Sequence, residues 1–348
     1  MTVSPCDPRA LKAASGILAL TQGDPSGIGP EIALKCWIAR DRLATPFFLL
    51  ANPDHIARVA KSLGFAAPLA VVSPSEAIAV FHRALPVVPL ANPVRGAFGA
   101  SDAYDAPATL ESIERAVGYV RSGQASAVVT NPIAKEPLYR AGFKHPGHTE
   151  WLGELAERDW NRGPLRPVML LWSPLLAVVP VTIHVSLAQA IATLTTDAIV
   201  ETARITAADL RSKFGVAAPR LAIAGLNPHA GEAGTMGRED IEIVAPAVAQ
   251  LQAEGIDARG PLPPDTMFHA AARAKYDAAI CMYHDQALIP IKTIAFDTGV
   301  NCTLGLPFAR TSPDHGTAFD IAGKGVADPA SLMAALDLAA RLGARHSA

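Results

Sequence analysis

Short apolar runs bounded by turn residues recur along the chain: Ile17–Thr21, Phe47–Ala51, Ala127–Thr130, Leu176–Ile183, Leu221–Leu226 and Ala278–Tyr283. Unbroken runs of this length read as strands buried on both faces, the usual state of strands in a parallel sheet. Segments of helical spacing separate them. Asp105–Ser122 places Leu110, Ile113, Ala116, Val117 and Val120 along one stripe. Further helices are predicted from the Gly23–Glu31 turn through Arg40, over Pro53–Leu63, Thr195–Phe214, Glu239–Gly255 and Pro329–Leu342. Pro30 suits a first helical turn, where its missing N–H had no partner. The stretch Ala66–Ala106 is rich in proline and predicts two short strands and a flap, while a polar loop is expected from Asn131 to Glu150. Residues 1–16 read as an unstructured lead-in. Strands alternating with helices predict an α/β protein whose parallel sheets carry helices on both faces.

Composition narrows the class. A chain of 348 residues exceeds the usual single domain, so two domains or one large α/β unit are expected. Half the residues are apolar and 18% are charged, enough for a large core. A net charge of −2 makes no electrostatic case for nucleic acid or an anionic membrane as partner. The longest apolar stretch, Pro167–Ile183, is broken by Ser173, Pro174 and Pro180, and so predicts two strands and not a membrane span. Cys6, Cys36, Cys281 and Cys302 form no CxxC pair and read as reduced thiols. With no signal-peptide pattern near the start, a soluble cytoplasmic protein is expected.

Candidate chemistry gathers at the ends of the predicted strands. His184, His229 and His284 each follow, or nearly follow, an apolar run. The carboxyl ends of parallel strands converge in space and are where open α/β sheets bind ligands. Three neutral imidazoles with a fourth position open suit a divalent metal that polarises a substrate oxygen. The alternative is three unrelated strand-end histidines. Imidazole donors favour zinc or cobalt, and magnesium stays open. The Gly23–Glu31 turn lacks full GxGxxG spacing and is no Rossmann fingerprint. The glycine-rich loop Asp314–Pro329 can wrap an adenosine, with Asp320 accepting from ribose hydroxyls; otherwise it is a structural loop before the last helix. Lys292 and Arg310 lie in or beside apolar, strand-like stretches (Leu288–Ile294 and Asn301–Phe308), where a phosphate or carboxylate is a sensible partner. Asp285 either orients an imidazole or is solvated, and Asn131 and Lys135 are within reach of a cofactor phosphate or substrate. His55, His82, His145, His269 and His346 have no motif around them.

Gly-Ile-Gly-Pro-Glu near the start and His-Gly-Thr-Ala…Asp-Ile-Ala-Gly-Lys-Gly near the end resemble β-decarboxylating dehydrogenases such as isopropylmalate dehydrogenase. A fuller set is similar to the 4-hydroxythreonine-4-phosphate dehydrogenase family of pyridoxine biosynthesis. It comprises Gly-Asp-Pro-Ser-Gly-Ile-Gly-Pro-Glu, Gly-His-Thr-Glu-Trp, Gly-Leu-Asn-Pro-His-Ala-Gly-Glu, Gly-Pro-Leu-Pro-Pro-Asp-Thr, Met-Tyr-His-Asp-Gln and the stretch Thr303–Ala318. The motifs run in the family's order from about residue 17 to 330. The resemblance implies an isopropylmalate dehydrogenase-like fold, two α/β/α domains with largely parallel sheets flanking an active-site cleft. The expected division is residues 1–140 with 305–348, carrying the adenosine loop, and 141–304, carrying the metal ligands and the dimer contact.

The resemblance also implies metal binding by His184, His229 and His284, and substrate binding by His148, Thr149, Lys292, Asn301 and Arg310. His148 and Asp265 are expected close to the chemistry, and His315, Asp320 and Gly323 at the cofactor. Implied cofactors are NAD or NADP and a divalent zinc, magnesium or cobalt ion. Asp320 leans towards NAD because a carboxylate repels a 2′-phosphate, with Lys324 close enough to offset it. A homodimer with active sites drawing on both subunits is implied, acting on 4-phosphooxy-L-threonine. The rivals are a paralogous dehydrogenase of another phosphorylated hydroxy acid or of a cis-dihydrodiol carboxylate, a metal-dependent hydrolase or lyase, and a phosphate acyltransferase.

Overall fold

The predicted runs at Ile17–Thr21, Phe47–Ala51, Ala127–Thr130, Leu176–Ile183, Leu221–Leu226 and Ala278–Tyr283 each hold a strand buried along nearly its whole length, and further strands join them. In chain order these are β1 (Leu18–Thr21), β2 (Phe47–Ala51), β3 (Leu69–Val71), β4 (Leu85–Pro89), β5 (Ala127–Val129), β6 (Val168–Ser173), β7 (Leu176–Pro180), β8 (Arg220–Ala224), β9 (Asp257–Leu262), β10 (Ala278–Cys281), β11 (Val300–Leu304) and β12 (Arg310–Pro313). The computed structural model describes residues 16–145, 147–161 and 163–346, so almost all of the predicted lead-in, with Cys6, lies outside the described residues. The described residues divide into two compact units, one made of residues 16–167 together with 306–346, the other of Val168–Gly305.

In the terminal unit the strands follow the order β3-β4-β2-β1-β5-β12, and every pair given is parallel. Ala19, Phe48 and Val128 face Ile113, Ala116 and Val117 of helix Ala106–Arg121, and Trp151, Leu152 and Leu155 of helix His148–Trp160. Helix Ala330–His346 packs along β12 and β5 and also meets helix Gly29–Ile38.

The central unit has the order β11-β6-β7-β10-β8-β9. Here β7, β10, β8 and β9 run parallel, whereas β6 is antiparallel to both β7 and β11. The largely parallel arrangement expected is interrupted here for a local reason. Pro174-Leu175 makes a two-residue turn, and the Ser173 hydroxyl accepts from Leu175 N at 3.2 Å and Leu176 N at 3.1 Å, folding the run back as a hairpin.

Three other expectations are corrected. The predicted polar loop contains helices Lys135–Arg140 and His148–Trp160; Trp151, Leu152, Leu155 and Ala156 form an apolar stripe that the preceding polar motif obscures. Leu288–Ile294 is not strand-like but part of helix His284–Ala295, which carries Pro290 and buries Ala287, Leu288 and Ile291. The division falls after Pro167, not at residue 140, because helix His148–Trp160 packs on helix Ala106–Arg121 of the terminal unit. Among the described residues no helix is long and apolar enough to cross a membrane.

Candidate functional site

In the central unit, the turns after β7, β8 and β10 carry the three histidines. His284 opens its helix directly after Tyr283, and His184 sits in the left-handed region at φ 52°. Their rings lie side by side, with centroids 5.7 Å apart. His284 Nδ1 is 2.7 Å from Asp285 Oδ1. A carboxylate only accepts, so the proton sits on Nδ1 and the Nε2 lone pair is left for another partner. Thr182, Leu187 and Tyr283 line the same hollow.

The turns are tied together by side chains to which the sequence motifs assigned no role. Gln286, buried, accepts from Met282 N at 2.7 Å and donates to Gly225 O at 2.7 Å, linking the ends of β10 and β8. Thr182 Oγ1 donates to Met282 O at 2.8 Å, linking β7 to β10. The buried Asp240 carboxylate accepts from Leu226 N (2.7 Å), Asn227 N (3.1 Å) and Asn227 Nδ2 (3.0 Å). That anchor holds a turn in which His229, Ala230, Gly231, Glu232 and Ala233 all have positive φ. Left-handed backbone costs a non-glycine residue about 1–2 kcal/mol, so such a run persists only where its surroundings impose it.

His229 is exposed on this turn, and Asp265 is exposed on helix Pro264–Met267, which packs against it. Among the described residues no three histidine, cysteine or carboxylate side chains gather as a metal site. The structure sets the His184 and His284 rings side by side, while His229 is exposed on its own turn. The pair fits two ligands of a borderline metal in donor chemistry; the predicted set of three is not assembled within the chain. Lys292 is partly buried in the last turn of its helix, its Nζ 5.7 Å from the centre of the Phe296 ring, and Asn301 is partly buried on β11.

In the terminal unit, His148 is the first residue of its helix and Thr149 the second. The His148 Nε2 atom is buried with no hydrogen-bond partner. Burial above all, then the cations of Arg310 and Lys135, hold this imidazole well below the ordinary histidine range, so it is neutral. Arg310, 3% exposed, donates from Nη2 to Thr130 Oγ1 at 2.7 Å. Asn131 donates through Nδ2 to Thr21 O at 2.9 Å, while its Oδ1 is buried and unpartnered. Gln22, which the sequence reading passed over, is fully buried with both amide atoms unpartnered. A Cβ on Gly29 would meet both Gln22 O at 2.7 Å and Asn131 Cβ at 3.3 Å, so both residues border the first glycine-rich turn. Only the odd pairing of an amide with the end of a buried apolar strand pointed to Gln22.

The glycines of the first turn serve close approach. A Cβ on Gly29 would lie 2.7 Å from Gln22 O, and one on Gly27 would lie 2.9 Å from Thr317 O. Ile28 N donates to Thr317 O at 3.0 Å, so the 314–325 loop lies against this turn. In that loop His315 Nε2 is buried and unpartnered, Asp320 is exposed, and Gly323 is left-handed at φ 76°. Orphaned polar atoms along a glycine-lined cradle fit a polar ligand of nucleotide type. The predicted substrate residues therefore divide, His148, Thr149 and Arg310 belonging to the terminal unit and Lys292 and Asn301 to the central one.

A parallel α/β scaffold with paired imidazoles and a buried guanidinium beside a neutral histidine has known counterparts. The family model of the pyridoxal phosphate biosynthetic protein PdxA matches residues 42–339, and the chain belongs to that family. It is 62% identical over 331 residues to 4-hydroxythreonine-4-phosphate dehydrogenase of Methylorubrum populi, covering 94% of this chain and 95% of that one. The crystal structure of the protein of that name from Klebsiella pneumoniae superposes with a TM-score of 0.81 at 36% identity, covering 94% of this chain and all of the other. A terephthalate 1,2-cis-dihydrodioldehydrogenase from Burkholderia xenovorans gives 0.62 at 30% identity, with 94% and 98% covered.

Proposed function

We propose that this chain is an NAD(P)-dependent 4-hydroxythreonine-4-phosphate dehydrogenase of pyridoxal 5′-phosphate (vitamin B6) biosynthesis. It oxidises 4-phosphooxy-L-threonine to 2-amino-3-oxo-4-phosphooxybutanoate, which loses carbon dioxide to give 3-amino-2-oxopropyl phosphate. The observation that carries this reading is the buried Arg310 guanidinium beside the neutral, unpartnered His148 Nε2, in a chain 62% identical to a protein of that name. A buried guanidinium suits recognition of an anionic ligand, and a neutral imidazole can take a proton. In this reading Arg310, Thr149, Lys292 and Asn301 fix the phosphate end and hold the carbinol in place, which lowers the entropy cost of reaching the reacting geometry. His148, or Asp265 through water, accepts the hydroxyl proton. His315, Asp320 and Gly323 hold the adenosine end of the cofactor.

His184, His229 and His284 are the proposed metal ligands, for zinc, magnesium or cobalt. A bound divalent ion would acidify the substrate hydroxyl. Only two of the three imidazoles pair within the chain and no three-ligand group forms among the described residues, which supports a shared arrangement in which His229 of the partner subunit completes the set. Exposed Val185, Leu187, Ile191, Ile289 and Phe296 on the same unit support a homodimer, because apolar side chains in this number favour a covering partner. Buried Cys36, Cys281 and Cys302, none of them in a disulfide, are in keeping with a cytoplasmic setting.

The test combines purified protein, 4-phosphooxy-L-threonine, a divalent ion and NAD or NADP, followed at the reduced-nicotinamide absorbance band. Cofactor reduction is expected, and loss of it after chelation. No reduction with either cofactor overturns the reading. The likeness to a cis-dihydrodiol dehydrogenase favours one rival, oxidation of a cis-dihydrodiol carboxylate, and the same assay with that substrate decides between them.

A further inference from the structure

The proline-rich stretch before helix Ala106–Arg121 forms a strap whose tip reaches the 314–325 loop. Asp105, 3% exposed, accepts from Arg95 N at 2.8 Å and Gly96 N at 3.0 Å. Ser26 takes Ala97 N on its hydroxyl at 3.1 Å and Gly99 N on its carbonyl at 2.9 Å, and Ser101 donates to Asp24. These bonds pin both sides of Phe98 to the glycine-rich turn. The Phe98 ring lies where a Cβ on Gly323 would stand, and a Cβ on Gly99 would lie 2.9 Å from Phe319 O. Gly323 thus has no side chain so that the ring can enter. Yet Phe98 stays 40% exposed: part of the ring is seated on Gly323, whose loop also carries the exposed Asp320, and the rest is open.

We propose that Phe98 is the stacking platform for the adenine of the nicotinamide cofactor, a binding residue contributed by the strap and not by the 314–325 loop. An aromatic face on a hydrogen-bonded backbone, with a carboxylate nearby for a ribose diol, suits a purine nucleoside. The ring loses little freedom on binding because its backbone is already held. This rests on the nicotinamide-cofactor reading above.

The experiment measures dissociation constants of NADH, ADP-ribose and reduced nicotinamide mononucleotide by calorimetry. It uses the wild type, Phe98→Ala, Phe98→Leu and Phe98→Trp. Loss of stacking is expected to weaken ADP-ribose and NADH about tenfold in Phe98→Ala. The mononucleotide, which has no adenine, is expected to bind equally to both. Phe98→Leu keeps apolar packing on Gly323 without a π-face and is expected to fall near Phe98→Ala, while Phe98→Trp retains wild-type affinity. Unchanged ADP-ribose affinity in Phe98→Ala, or full affinity in Phe98→Leu, overturns the assignment while leaving the cofactor reading intact. A wild type that binds the mononucleotide but not ADP-ribose also overturns it; one that binds none of the three overturns the cofactor reading as well.

Discussion

At the scale of residues, His148 shows how neighbours set chemistry. Burial and two cations keep its imidazole neutral where an exposed histidine would be half-charged. Its ring signals in an NMR titration are therefore expected to stay in the neutral form as pH falls through 6.5. Lys135→Met removes one of the cations and is expected to move the titration upward. Gln286 is a different case, acting only through what it holds. Gln286→Leu leaves Met282 N and Gly225 O without partners, a cost of about 1–3 kcal/mol for each orphaned group. Thermal unfolding and zinc titration test this, with an expected loss of about 10–100-fold in metal affinity, as for other residues that orient ligands. Undiminished zinc affinity would show that the tie between β10 and β8 does not position the histidines. The histidines were legible because imidazole at a strand end is chemically conspicuous. Gln286 and Asp240 were not, since a glutamine or aspartate declares an anchoring role only once the backbone groups it meets are known.

Among the elements, the strap and the first turn are locked through His55. Its Nε2 donates to Pro25 O at 3.0 Å, and Gly96 lies directly over its ring. Burial, then the Arg58 cation, lower its pKa to about 4. A histidine depressed in the folded state stabilises the fold above its unfolded pKa of about 6.5, and that contribution is lost as pH falls towards 4. About 3 kcal/mol is at stake over that window, following the linkage of proton binding to folding. Denaturant unfolding between pH 7 and 4 is expected to show this slope, and His55→Gln to flatten it. Equal slopes in the two proteins would remove His55 from the account. Strand and helix positions were readable from hydrophobic period, as in β1, β2 and helix Ala106–Arg121. The failures lie where a functional motif overlies an element, as at His148–Trp160, or where a proline sits inside a helix, as at Pro290.

For the whole molecule, the proposed sharing of sites between subunits has a direct consequence. Co-expressed His184→Ala and His229→Ala chains assort at random, so half the dimers are mixed and each mixed dimer regains one intact site of two. About a quarter of wild-type activity is then expected from two inactive parents, by that symmetry arithmetic. No recovery would place all three ligands in one chain. What the amino-acid sequence determined by itself is the α/β class, the strands β1, β2 and β5 at the heart of the terminal sheet, and the residue types capable of metal, phosphate and nucleotide chemistry. These depend on hydrophobic period and side-chain identity, which are local properties. Tertiary structure alone decided that β6 turns back against β7, that a strap brings Phe98 to Gly323, and that His184 meets His284 ring to ring. Each of these depends on which distant stretches of chain pack together, and packing is settled by shape and hydrogen bonds that no single stretch contains.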